Sequence, residues 1–158
     1  MSRKLSILMV VALLVSVFGV FGASAAFAAA PAAPVGTGPG NALPVPSAAQ
    51  TLAAGQRVWY AFQYAGDKSE IVADMNATPG GSANFAIWTQ GNVQNWQSTG
   101  TENPVGRGSP NNSYGGDLVW TGNFNQAGTY YIVVDQAGGS PATITLKVTG
   151  SGVSGLGK

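Results

Sequence analysis

The chain has 158 residues, seven Lys or Arg against six Asp or Glu, no His, no Cys, and a formal net charge of +1. Without an imidazole, Ser-His-Asp and Cys-His nucleophile arrangements are closed, and without His or Cys so are nearly all zinc sites. No disulfide staples the fold and no lipid-modified Cys anchors it, so the chain relies on its own apolar core.

Ser2-Arg3-Lys4 gives a positive start, and Leu5 to Gly22 is apolar apart from Ser6, Ser16 and glycines. Ala23-Ser24-Ala25 and Ala26-Phe27-Ala28 then fit the small-residue pattern cut by signal peptidase. Residues 1–28 therefore read as a signal peptide, with an uncleaved anchor as the alternative, because the run approaches the length of a membrane span. Cleavage removes Arg3 and Lys4, leaving five cations against six acids and a net charge of −1. Such a chain has no basic field for nucleic acid or anionic lipid. It is expected to work outside the membrane, secreted or at the cell surface.

Residues 29–47 are mostly Ala, Pro and Gly, with prolines at 31, 34, 39, 44 and 46. Proline resists both ladder and helix, and glycine resists ordering, so this stretch reads as a linker. From residue 48 to 150 the pattern changes to a period of two. Val58, Tyr60, Phe62 and Tyr64 share one face, as do Ile71, Ala73 and Met75, then Phe85 and Ile87. Leu118, Trp120 and Phe124 share a phase, followed by Tyr130, Ile132 and Val134, then Ile144, Leu146 and Val148. Turn clusters such as Gly66-Asp67-Lys68, Pro79-Gly80-Gly81 and Gly138-Gly139-Ser140-Pro141 separate these runs. No stretch after Gly22 shows a helical period. The expected fold is all-β, an antiparallel two-sheet β-sandwich of six or seven strands. Residues 151–158 are expected to form a flexible tail, and the Gly-x-Gly-x-x-Gly string from Gly150 to Gly155 has no helix after it to bind a dinucleotide.

Between Gln90 and Gly116 the alternation stops, and Trp96 and Tyr114 lie among Asn, Pro and Gly. A long irregular segment of this kind is often functional. The alternative is an extra strand around Val93 to Trp96 with a covering flap.

Ala127-Gly128-Thr129-Tyr130-Tyr131-Ile132-Val133-Val134, followed by a Gly-rich turn and Ala142-Thr143-Ile144-Thr145-Leu146-Lys147-Val148, resembles the bacterial pre-peptidase C-terminal domain. Trp59-Tyr60-Ala61-Phe62 with Gly66 looks like that family's first long strand, and Asn84-Phe85-Ala86-Ile87-Trp88 like its middle strand. The resemblance implies a jelly-roll-like, non-catalytic sandwich, of a kind that sometimes binds collagen, polysaccharide or calcium. The acidic residues that some relatives carry at the start of the domain for calcium have no counterpart between Ser47 and Arg57.

No cofactor or metal is expected. Calcium on Asp117 or Asp135 with nearby Asn lacks the Asp-x-Asp-x-Asp spacing of a loop site. Glu70 and Asp74 share a strand face, but four residues of strand separate them by about 13 Å, beyond the roughly 5–9.5 Å that glycosidase carboxyl pairs need. The chain is therefore not expected to be an enzyme. Trp59, Trp88 and Tyr131 fall out of phase with the core, and with Trp96 and Tyr114 they are the candidate ligand-binding residues. Exposed rings beside neutral amides suit a polysaccharide or other cell-surface polymer. The competing reading is that the irregular segment folds over these rings and buries them. An exported adhesion module is one expectation; a subunit of a surface layer or fibre, its Pro-rich arm engaging a neighbour's sheet edge, is the other. Tyr130 is in phase with the core, where a tyrosine hydroxyl can pin a sandwich corner.

Overall fold

The computed structural model describes residues 36–111 and 118–155. The expected signal peptide (1–28), the first part of the linker and Tyr114 lie outside the described residues. The alternating runs form strands, and the strands pair into two sheets. β1 (Leu43–Pro44), β3 (Arg57–Tyr64), β5 (Ala83–Thr89), β6 (Gly106–Arg107), β8 (Gly128–Gln136) and β10 (Val153–Ser154) make the larger sheet. Its order is β1-β3-β8-β5-β6, with β10 also on β3. β2 (Gln50–Leu52), β4 (Ile71–Thr78), β7 (Leu118–Gly122) and β9 (Ala142–Thr149) make the smaller, in the order β2-β9-β4-β7. Every pairing is antiparallel except the short β1 against β3. The β-sandwich expected from the sequence is the fold observed.

Inward residues of both sheets fill one core. Tyr60, Phe62, Ile87, Ile132 and Val134 from the larger sheet meet Ile71, Ala73, Met75, Ile144 and Leu146 from the smaller. At one end the core is aromatic: Phe124 stacks on Tyr130 with ring centroids 4.1 Å apart, and Trp120 stacks on Phe124 at 5.8 Å. The Tyr130 hydroxyl donates to the Gln126 carbonyl at 2.8 Å, pinning the turn before its own strand.

Two parts of the chain expected to be loose are built into the sandwich. Residues 36–47 lie along it: β1 pairs with β3, the Trp59 amide donates to the Gly36 carbonyl at 2.7 Å, and Val45 is buried in the core. Gly36 has φ +77°, and a Cβ there would meet Val58. Pro44 is tolerated because it sits on a sheet edge. Residues 36–47, expected to be linker, therefore belong to the sandwich, with Leu43 and Pro44 on the β3 edge of their own chain. At the other end, Val153 and Ser154 pair with Tyr64 and Gln63, so residues 153–154 belong to the sheet and not to a tail.

The third correction is a helix, α1 (Gln90–Thr99), in the segment expected to be irregular or extended. Thr89 caps its start by accepting from the Asn92 amide at 3.2 Å. Gly100, with φ 73°, ends it by donating to the Trp96 carbonyl at 2.8 Å. Its weak helix formers, Gly91, Asn92 and Asn95, leave tertiary packing to hold it. The chain then returns along β5 through the Val105 and Gly108 amides, and Ser109 bridges to Val119 on the smaller sheet. Among the described residues no helix is long and apolar enough to cross a membrane.

Candidate functional site

Trp59, Trp88 and Tyr131 leave the core-facing phase of β3, β5 and β8, as expected, and so share the outer face of the larger sheet. Trp59 and Trp88 do not meet solvent there, because α1 lies over them. Trp88 is 1% exposed and Trp59 5%. Trp96, carried by the helix, stacks on Trp88 at 4.6 Å between centroids and 14° between planes. It also stacks on Trp59 at 5.4 Å and 21°, while Tyr131 meets Trp59 edge-on at 6.2 Å. With Ala86, Val93 and Val133 these rings form a second, smaller core. Trp59 and Trp88 are thus corrected from ligand contacts to packing residues. Two outward indoles make an apolar patch whose burial outweighs the cost of ordering one helix with Val93 and Trp96 on a single face. Trp96 and Tyr131 remain half-buried, each with a rim at the surface.

Arg57, a residue the sequence reading passed over, fixes this cover. Its guanidinium carbon lies 4.8 Å from the centroid of the Trp96 ring. Its Nε donates to Asp135 Oδ1 and its Nη2 to Glu102 Oε1 at 3.2 Å. Burial works against the charge on Arg57, but the two carboxylates outweigh it and raise its pKa. All three side chains are more than a third exposed, so the ion pairs contribute only about 0–1 kcal/mol each and act mainly on position. Asp135, weighed earlier as a calcium ligand, is engaged by Arg57; Asp117 lies outside the described residues. No three His, Cys, Asp or Glu come together among the described residues to hold a metal.

Among the described residues no helix covers the outer face of the smaller sheet, although Val119 on β7 is buried beside Ser109. Residues of that face stand in rows across the strands: Thr51 beside Thr143 beside Thr78, then Thr145 beside Asn76, and Lys147 beside Asp74. Thr149 and Thr121 flank Val72 in the last row. All of these threonines, Asn76 and Lys147 are exposed. Neighbours in a row are about 4.8 Å apart and rows about 7 Å apart, the pleat spacings of a sheet. Each Thr offers a hydroxyl that both donates and accepts, with a methyl beside it. The Thr51 and Thr143 hydroxyls already meet at 3.2 Å. This face was legible as the outward phase of β4 and β9, but threonines at strand positions read as ordinary solvated surface.

Asp74 is the one acidic side chain in these rows. Burial raises its pKa, with Lys147 pulling the other way. Glu70, too distant in the sequence reading to pair with it, precedes β4 and is exposed.

No family model matches the sequence, and no curated protein does. Among solved structures the chain is similar to PliG of Aeromonas hydrophila, a periplasmic lysozyme inhibitor of g-type lysozyme. The two are 17% identical with a TM-score of 0.45, over 65% of this chain and 83% of that one. A likeness at this level bears on neither partner nor activity.

Proposed function

We propose that the mature chain is an exported, non-catalytic binding module of pre-peptidase C-terminal domain-like type, which engages glycan or another neutral surface polymer. The observation that carries this reading is the exposed outer face of β2, β9 and β4, where Thr51, Thr143, Thr78, Thr145 and Asn76 stand in regular rows. A neutral polymer rich in hydroxyls finds both donors and acceptors there, with methyl groups between them for its C–H faces. The exposed rims of Trp96 and Tyr131 are a smaller, separate contact on the opposite side of the sandwich. The alternative, a layer or fibre subunit assembled through its arm, has less support, because Leu43 and Pro44 pair with β3 of their own chain and Gly36 accepts from the Trp59 amide.

The test is retention of the mature protein on insoluble chitin, cellulose and peptidoglycan. Thr143→Lys with Thr145→Lys, which places two charges on the array, is expected to abolish retention, and Trp96→Ala to reduce it little. Retention unchanged by the double substitution and lost with Trp96→Ala would move the site to the helix side. Absence of retention on any polymer would remove the reading.

A further inference from the structure

We infer that the depression around Asp74 and Lys147 is the subsite that holds one sugar ring through its hydroxyls, an inference that rests on the polymer-binding reading above. The depression has a volume of about 280 Å³ and is lined by Ser47, Asp74, Asn76, Thr145 and Lys147, with Pro46 as an apolar wall. It interrupts the threonine rows in the middle of the exposed face.

Two observations set it apart from the rest of that surface. Asp74 Oδ1 is shut off from solvent and has no hydrogen-bond partner, while the Ser47 hydroxyl lies toward that of Tyr60. A buried acceptor left without a donor is costly, and most native structures contain few of them. Asp74 and Lys147 are also direct cross-strand partners, yet their charged atoms do not close into an ion pair. The carboxylate therefore stands with unused acceptor capacity beside an ammonium with unused donors.

The balance of charge narrows the ligand. An anion that approached Lys147 would meet Asp74, and a cation that approached Asp74 would meet Lys147. A neutral ligand with donor and acceptor on adjacent carbons satisfies both. Of two vicinal hydroxyls, one donates to the Asp74 carboxylate and the next accepts from Lys147 or the Asn76 amide. The volume lies at the small end of ligand sites, enough for one ring of a chain that continues across the threonine rows on either side.

The experiment is an amide-resolved NMR titration of the mature protein with chitotetraose, cellotetraose, xylotetraose and maltotetraose, beside retention on the insoluble polymers. At least one tetrasaccharide is expected to shift the amides of Asn76, Thr145 and Lys147 first. Asp74→Asn and Asn76→Ala are each expected to weaken binding about tenfold or more, as loss of a charge-assisted or bidentate contact does. Should one of these variants not fold, the other carries the same test. Shifts confined to Trp96 and Tyr131, or polymer retention that both variants leave unchanged, would overturn the subsite and leave the polymer-binding reading standing. No retention and no shift with any probe would remove the reading and the subsite together.

Discussion

The two outer faces of this sandwich are built on the same alternation and meet opposite fates. On β3, β5 and β8 the outward positions hold Trp59, Ala86, Trp88 and Val133, which a helix seals into a second core with Tyr131 half-buried at its rim. On β2, β9 and β4 they hold Thr51, Thr143, Thr145, Lys147 and Asn76, and they stay open. Period two says only that a strand has two sides. Residue type on the second side decides whether that side acquires a third layer, because large rings leave an apolar patch that water disfavours and threonines do not.

The sharpest way to break this comparison is Trp88→Ala. It removes a side chain that is 1% exposed and takes away the floor of the Trp96 stack, so a loss of about 3–5 kcal/mol is expected in urea unfolding. A loss below about 1 kcal/mol would mean that the helix is a loose flap and the second core adds little. A smaller effect is expected at Asp74 on the open face, and its sign depends on pH. Burial raises its folded pKa above the unfolded value, so the folded chain binds the proton more tightly. Its contribution to stability is therefore most favourable below the unfolded value of about 3.9 and declines as pH rises through the folded one. Asp74→Asn should flatten that descent in a series of unfolding curves, and a variant with an unaltered pH profile would contradict it. The smallest effect belongs to Thr145→Val, an exposed position where a change within about 0.5 kcal/mol is expected from the same measurement. A stabilisation or loss of several times that size would show that the face is not simply solvated.

The sandwich was legible because core-facing residues recur at every second position in both sheets, best seen in β9, where Ala142, Ile144, Leu146 and Val148 are buried between exposed neighbours. The hydroxyl contact of Tyr130 followed from the same phase. The helix was not legible, since Val93 and Trp96 are its only apolar contacts with the sheet and its other residues favour loops. Its signals were the Thr89 cap, Gly100 and the three-residue spacing of Val93 and Trp96. Phase alone assigns the second face of a sheet to water, and Trp59 and Trp88 depart from that because α1 covers them. Composition also misled at residues 36–47: proline and glycine discourage regular structure, yet an edge position asks little of either. The polar depression left no trace in one dimension, because Ser47, Asp74 and Lys147 are joined only by strand register.

The placement of β1 and β10 on one flank of β3 has a practical corollary. β3 is eight residues long, with Trp59, Tyr60, Phe62 and Tyr64 along it. A polypeptide trimmed at residue 48, where proline content invites the cut, would bare the middle of that strand as a template for neighbouring molecules. Such a fragment should precipitate while the longer one stays dissolved. The stretch that composition marks as a spacer is the molecule's safeguard against self-association.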